Sequence, residues 1–177
     1  MDAREFAEIA EKHSNFVYNV AFKIMGNQHD AEEVAQDAFV SAFKAKDNFR
    51  GDAMPTTWLY RIATNAALMR IRKDKRGKAF AVSEDTRPDV ASSTWDESPN
   101  DVTMNKELDN RIDNAMVTLP EDLRVAVVLR DVQGLSNKEA AESVDVSLSA
   151  LKARLHRGRI SLRISLASCL HEEDSIG

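Results

Sequence analysis

Residues 135–159, LSNKEAAESVDVSLSALKARLHRGR, decide the fold, because they predict two short helices joined by a tight turn. Ser136 and Glu139 have the spacing of a capping box, so the first helix is predicted to begin there. Asp145 supplies the turn, because Asp tolerates left-handed backbone geometry, and Ser147 caps the second helix. The pattern is typical of a helix-turn-helix, whose second helix enters the major groove of DNA. An ordinary helical hairpin with a solvated basic face is the alternative.

The composition limits the class of protein. A chain of 177 residues, 43% hydrophobic and 30% charged, has room for one large or two small soluble domains. No apolar run approaches the ~20 residues of a membrane helix, and the N-terminus has no signal-peptide pattern. A lone cysteine, Cys169, excludes an intramolecular disulfide. We therefore expect a cytoplasmic protein with no membrane insertion, no metal and no cofactor.

The net charge of −5 is unevenly distributed along the chain. Residues 61–80 hold 7 bases and 1 acid, and residues 148–163 hold 5 bases and no acid. Residues 1–60 hold 10 acids and 6 bases, and residues 81–104 hold 6 acids and 1 base. Phosphate binding depends on local cation density, so these two basic segments predict two separate DNA contacts.

The first half of the chain predicts three helices. Apolar residues recur every three or four positions over residues 3–25, which predicts one amphipathic helix that ends at Gly26. Asp30 is expected to cap the next helix, of roughly residues 30–46, which has an acidic outer face. After a loop with Gly51 and Pro55, Thr56 or Thr57 is expected to cap a helix from Trp58 to about Arg76.

The rest of the chain predicts a linker and a second helical unit. The periodicity is lost from Gly77 to about Met104, among prolines, serines and acids. It returns as an apolar stripe of Leu108, Ile112, Ala115 and Leu119, and Pro120 suits the first turn of a further helix. We expect an all-α protein with two small helical domains, residues 1–77 and 105–170, joined by a flexible linker, 78–104, and followed by a tail, 171–177.

Aromatic and basic residues are interleaved before and within the third predicted helix. They are Phe49, Arg50, Trp58, Tyr60 and Arg61. Rings can stack on unpaired bases while cations hold phosphates, so this set has the composition of a single-strand site. The alternative is that Phe49 and Trp58 are core residues.

Several further motifs occur in a fixed order along nearly the whole chain. They are DAEEVAQDAF at 30–39, FRG at 49–51, TWLYRIA at 57–63 with Asn65, Leu119-Pro120 with Arg124, and GLS at 134–136 with Glu139 and Ala141, followed by residues 152–159. In this order they resemble the extracytoplasmic-function sigma factors, the two-domain initiation factors of bacterial RNA polymerase. Each motif alone is weak, but the ordered set is specific.

The resemblance implies three sets of binding residues. Those that dock on the polymerase clamp, in region 2.2, are Asp30, Glu33, Gln36, Asp37 and Phe39. Those that open and read the minus-ten element, in regions 2.3 and 2.4, are Phe49, Arg50, Trp58, Tyr60, Arg61, Asn65, Arg70, Arg72 and Lys73. Those that read the minus-thirty-five element, in the recognition helix of region 4, are Ser149, Ala150, Lys152, Arg154, His156 and Arg157.

The chain departs from the family pattern at several positions. Ser149-Ala150-Leu151 stands where the family usually has Gly-Thr-Val, so the promoter sequence cannot be carried over. Asp145 replaces the turn glycine, and Met69 stands where an aspartate is common. Gly158 replaces an alanine and is expected to cost about 1 kcal/mol of helix stability.

The resemblance also implies the partners. They are core RNA polymerase, promoter DNA and an anti-sigma factor, with the free chain a monomer that has no catalytic activity. The main alternative is a stand-alone helix-turn-helix regulator, which would be dimeric and bind a palindromic site. An enzyme is disfavoured, because the sequence has no phosphate-binding glycine loop and no legible catalytic set.

Overall fold

The computed structural model describes the backbone of residues 1–52, 54–80 and 102–174, and the side chains of residues 1–52, 54–77 and 106–168. Within these ranges the chain forms eight α-helices and no strand, so the all-α prediction is confirmed. The helices are α1 Ala3–Lys12, α2 Ser14–Met25, α3 Gln28–Ala45, α4 Pro55–Phe80, α5 Val102–Thr118, α6 Glu121–Val127, α7 Asn137–Ser143 and α8 Leu148–Asp174. Of the predicted linker, residues 78–80 continue α4 and residues 102–104 begin α5, and the remainder lies outside the described residues.

Helices α2, α3 and α4 pack on one another and form the core of the first unit. Val20, Ile24, Val34 and Leu59 are almost completely buried there. The prediction of one helix over residues 3–25 was wrong, because His13, with φ of −111° and ψ of 13°, leaves the helical conformation and separates α1 from α2. The Ser14 hydroxyl donates to the Glu11 carbonyl, which competes with regular helical hydrogen bonding at this point.

The cap of α3 also differs from the prediction. Gly26 ends α2 in the left-handed conformation, as expected, with φ of 80°. Asn27 then adopts an extended conformation, and its side-chain oxygen accepts from the Asp30 backbone N–H at 2.9 Å. Asn27 is therefore the cap, and Asp30 lies inside the first turn, where its carboxylate favours the positive end of the helix.

Helix α4 begins earlier and ends later than predicted. Pro55 is its first residue, because a fixed φ and a missing N–H suit the first helical position, so neither Thr56 nor Thr57 is the cap. At the other end the helix continues past Arg76 to Phe80.

The second unit is organised by α8, which packs against α5, α6 and α7. Leu151 and Leu155 of α8 are buried, as are Ala115 and Leu119. Leu108 is 55% exposed and does not belong to the predicted stripe.

Arg124 of α6 joins the two units. Its guanidinium donates to the Ile24 carbonyl at the end of α2, at 2.6 Å, and to the Val117 and Leu119 carbonyls at 2.8 and 2.9 Å. Burial lowers the pKa of Arg124, and the nearby charge of Glu121 opposes that effect. Three carbonyls at helix ends, which lack helical partners, are thereby satisfied by one side chain.

Further contacts between the units surround this junction. Lys23 pairs with Asp113 at 2.6 Å, and Lys75 pairs with Glu121 at 2.8 Å. We call this packing of α2 and α4 against α5, α6 and α7 the closed arrangement. Buried side chains of both units form one connected cluster in it.

Gly158 lies where α8 passes closest to α6, so we expect Gly158→Ala to lower the free energy of unfolding by about 1 kcal/mol. The new Cβ would lie 2.8 Å from Val127 Cγ2 and 3.3 Å from the Leu123 carbonyl oxygen, which cannot move freely. Overpacking costs about 1–3 kcal/mol, whereas helix propensity returns about 1 kcal/mol. Gly77 is the matched control, because it is also helical and a Cβ added there would meet open space beyond its own helix backbone. Urea unfolding should show stabilisation by Gly77→Ala, and equal stabilisation by Gly158→Ala would contradict the packing argument.

Candidate nucleic-acid and protein interfaces

Helices α7 and α8 form the predicted helix-turn-helix. The Ser136 hydroxyl accepts from the Glu139 backbone N–H, and the Glu139 carboxylate accepts from the Ser136 N–H at 2.9 Å. These hydrogen bonds lower the pKa of Glu139. Asp145 has a φ of 55°, and the Ser147 hydroxyl accepts from the Ala150 N–H at 3.1 Å at the start of α8. All three local predictions for this motif are confirmed.

The basic side chains of α8 divide into two groups. Lys152, His156 and Arg157 are exposed, and Ser149 is exposed beside them at the start of the helix. Arg154 is half-buried and lies 3.8 Å from Asp122 of α6. Lys152, His156 and Arg157 are therefore the basic side chains of the predicted set that face outwards, whereas Arg154 lies over α6.

Arg159 and Asp131 form an ion pair that the sequence pattern did not reveal. Two guanidinium nitrogens of Arg159 donate to the two carboxylate oxygens at 2.8 and 2.6 Å. This hydrogen bonding raises the pKa of Arg159. The pair ties the middle of α8 to the π-helical turn Val128–Val132 that follows α6, a contact between positions 28 residues apart. Ala150, which was also predicted to read the minus-thirty-five element, is half-buried on α8.

The second candidate interface lies around the loop before α4. Phe49 and Trp58 are half-buried with ring centroids 5.1 Å apart, and Arg50 is exposed beside them. Along α4, the exposed polar side chains of the predicted set are Arg61, Asn65, Arg72 and Lys73. The structure thus brings the two rings together at the loop, and the helix that follows adds exposed polar side chains, of which Arg61, Asn65 and Arg72 share one face by helical periodicity.

Helix α1 contributes to this interface, which the sequence motifs did not indicate. A cleft of about 570 Å³ is lined by Phe49 and Arg50 of the loop and by Ile9 and Lys12 of α1. The sequence distance between α1 and the loop is the reason that no local pattern signalled their contact.

Tyr60 is not exposed in the closed arrangement. It is buried, and its ring lies edge-on to that of Phe16, with the ring centroids 3.8 Å apart. Its hydroxyl donates to the side-chain oxygen of Gln133 in the second unit at 3.3 Å. Burial, with a smaller contribution from the charge of Glu139, raises the pKa of Tyr60 to about 12. Of the residues predicted to read the minus-ten element, Tyr60 is therefore covered by the second unit.

Arg70 faces α3 rather than the exposed side of α4. Its guanidinium contacts Asp30 at 3.1 Å, Glu33, and Asp74 at 3.3 Å. Burial alone would lower the pKa of Arg70, but the hydrogen bond to Glu33 and the three nearby carboxylates raise it. His29 also approaches Glu33, at 3.5 Å. Arg70 already supplies a cation to this cluster, so we assign no metal there.

The outer face of α3 carries the residues predicted to bind the polymerase. Gln36 and Asp37 are exposed, Glu33 is half-exposed, and Phe39 is half-buried. Val40 is 52% exposed and follows Gln36 by four positions and Asp37 by three, so it lies on the same face. We call Glu33, Gln36, Asp37 and Val40 the α3 face. Val40 was missed because an apolar residue in a helix is usually read as core.

The described residues include no helix long and apolar enough to cross a membrane.

Family profiles match both units of the chain. Residues 9–77 match Sigma-70 region 2, and residues 109–162 match Sigma-70 region 4. The first match contains the α3 face and the loop before α4, and the second contains the helix-turn-helix.

Two solved structures share the fold. The sigma factor RpoE of Bartonella quintana, in complex with the anti-sigma factor NepR, has a TM-score of 0.76 at 22% identity, covering 93% of this chain and 98% of that one. CnrH, in complex with the cytosolic domain of CnrY, has a TM-score of 0.65 at 24% identity, covering 94% and 90%.

Curated relatives are similar over most of the chain. The ECF RNA polymerase sigma factor SigW of Bacillus subtilis is 32% identical over 171 residues, which cover 93% of this chain and 90% of that protein. SigE of Mycolicibacterium smegmatis, also an ECF sigma factor, is 35% identical over 160 residues, or 90% of this chain, and the match spans 61% of that longer protein. With its two region matches and these relatives, the chain belongs to the extracytoplasmic-function (ECF) family of RNA polymerase sigma factors.

Proposed function

We propose that this chain is an alternative sigma factor that binds core RNA polymerase, recognises the minus-thirty-five and minus-ten promoter elements, and promotes DNA opening. The observation that carries the proposal is that one chain has two separate exposed basic surfaces, on α8 and on α4, in units that match regions 4 and 2. Such a factor recognises DNA and is not an enzyme.

In this proposal each surface has a separate role. Exposed Ser149, Lys152, His156 and Arg157 contact duplex DNA, where base-edge contacts give sequence choice and phosphate contacts give register. Phe49, Trp58 and the exposed cations of α4 hold the opened strand, and stacking offsets the few kcal/mol needed to extrude a base. The α3 face, with Asp30 and Phe39 beside it, docks on basic groups of the polymerase. Residues 1–77 and 105–170 act as the two functional domains.

The closed arrangement has to open for this function. The two promoter elements lie about 25 base pairs apart, or about 85 Å at 3.4 Å per pair. A compact chain of this length has a radius of gyration of about 16 Å and is about 40 Å across, so it cannot reach both elements. Opening would also uncover Tyr60, which Gln133 now contacts. Residues 81–101, if extended, would reach about 70 Å, which is long enough for the units to separate.

Polymerase is the partner that would stabilise the open form. With a net charge of −5, the free chain has little long-range attraction for DNA. A partner that binds the open form better shifts the equilibrium towards it. The free protein would be a cytoplasmic monomer. The solved complex of the sigma factor RpoE with the anti-sigma factor NepR supports an anti-sigma factor as a second partner of this chain.

A gel-shift experiment at physiological salt tests the proposal. Genomic promoter fragments are incubated with the chain alone, with core polymerase alone, and with both together. We expect a specific complex only when both proteins are present, followed by run-off transcription from the same fragments. Tight, sequence-specific binding by the chain alone, as a dimer on a palindromic site, would support the stand-alone regulator instead.

A further inference from the structure

Arg70 and Arg72 are two positions apart on α4 but have different surroundings. Arg72 is exposed, whereas the Arg70 side chain is 27% exposed and points between α4 and α3. The Arg70 guanidinium reaches Asp30 at 3.1 Å, Asp74 at 3.3 Å, and Glu33. Both terminal nitrogens of the guanidinium are therefore directed at carboxylates of α3.

Two of these carboxylates lie in the first turns of α3: Glu33 belongs to the α3 face, and Asp30 lies one turn before it. Asp30 accepts from one terminal nitrogen of Arg70 and Glu33 from the other. A planar guanidinium holds two acceptors in defined directions, which a single point charge does not do. Without it, Asp30, Glu33 and Asp74 would repel one another, and the Glu33 side chain would sample other rotamers.

We propose that Arg70 is a positioning residue for polymerase docking, which holds Glu33 and Asp30 so that the α3 face is already formed before it meets its partner. The inference rests on the proposed function of the α3 face. It assigns Arg70 to the protein interface rather than to the minus-ten strand, where its place in the basic run had put it.

Removal of Arg70 is expected to have two opposing effects on polymerase binding, one through charge and one through side-chain positioning. Removing Arg70 makes the region more acidic, which would slightly speed the encounter with a basic partner surface. The removal also frees the side chains of Asp30 and Glu33, which polymerase binding must then order. This ordering weakens the complex, and the change is expected mainly in the dissociation rate. A positioning role therefore predicts faster dissociation with an unchanged or slightly higher association rate.

The test compares Arg70→Ala with Arg72→Ala in the full chain. Association and dissociation rates for core polymerase are measured, together with the affinity of each holoenzyme for a single-stranded minus-ten oligonucleotide. We expect Arg70→Ala to dissociate from core about tenfold faster while strand affinity stays within about twofold. Arg72→Ala should show the reverse pattern, with unchanged core binding and weaker strand binding. Arg70→Lys, which keeps the charge but not the fork, should recover only part of the loss.

Other outcomes would overturn the positioning role. If Arg70→Ala weakens strand binding as much as Arg72→Ala and leaves core dissociation unchanged, Arg70 is a strand contact. If Arg70→Lys has the wild-type dissociation rate, the positive charge alone suffices and the two terminal nitrogens of the guanidinium have no special role. Should Arg70→Ala fail to fold, Arg70→Gln, which is shorter and uncharged but keeps a planar group with two N–H donors, is measured in its place against the same criteria. A wild-type chain that does not bind core at all would instead overturn the proposed function, and the role of Arg70 with it.

Discussion

Substitution of Asp37 by arginine is expected to lower the affinity for core polymerase by at least about a hundredfold without changing the helix content. Asp37 is exposed on the outer side of α3. Its replacement should therefore cost little folding free energy. At the interface, however, a basic partner group would face a new positive charge, and such like-charge contacts cost several kcal/mol. Competition binding to core, with circular dichroism as the check on folding, measures both parts of the prediction.

Glu11→Arg provides the matched control for Asp37→Arg. Glu11 is exposed on α1, so its substitution makes the same change in net charge within the same unit. We expect this variant to bind core like the wild type. If Asp37→Arg still supports transcription at wild-type protein concentrations, docking through the α3 face is disproved. If both variants lose binding equally, the effect is one of overall charge and the face has no special role.

Substitution of Lys23 by glutamate is expected to open the closed arrangement of the free chain. Lys23 and Asp113 pair at 2.6 Å between the two units, and their side chains are 27% and 16% exposed. Breaking a buried ion pair costs about 3–5 kcal/mol, and the partial exposure of this pair reduces the cost to about 2 kcal/mol. This corresponds to a change of about thirtyfold in the equilibrium between the closed and open forms. Small-angle scattering should show a larger radius of gyration than the about 16 Å of a compact chain.

A double substitution that exchanges the charges of the two residues distinguishes loss of this ion pair from a general loss of stability. Lys23→Glu combined with Asp113→Lys should return the radius of gyration to the wild-type value, as a double-mutant cycle requires. Arg159→Glu is the control, because its partner Asp131 lies in the same unit at 2.6 Å and the pair does not bridge the units. A Lys23→Glu chain as compact as the wild type would show that Arg124 and the apolar contacts suffice to hold the units together.

The short-range features of this chain could be predicted because the interacting groups are close in sequence. Ser136 and Glu139 are three residues apart, and Asp145 and Ser147 flank one turn. Their conformations depend on neighbouring backbone groups, which any fold would present to them. Asp30 shows the limit of such reasoning, because Asn27 three residues earlier is an equally good cap. Asn27 became the cap once Gly26 had ended the previous helix and left it extended.

Contacts between distant segments could not be predicted in the same way. Arg70 belonged by sequence to a basic run, but the packing of α4 on α3 directs it at Asp30 and Glu33. Tyr60 matched a strand-reading motif, yet in the closed arrangement Gln133, 73 residues later, covers it. Gly158, expected only to weaken a helix, also provides the space that α6 occupies.

The amino-acid sequence by itself determined that this protein is helical, that it has two basic segments, and that residues 135–159 form a helix-turn-helix. Hydrophobic periodicity, caps and local charge are properties of neighbouring residues. The tertiary structure alone decided which of the cations face solvent and which pair with carboxylates, and it alone joined the two units through Arg124. Those outcomes depend on how helices pack, which brings together groups that are as many as 100 residues apart.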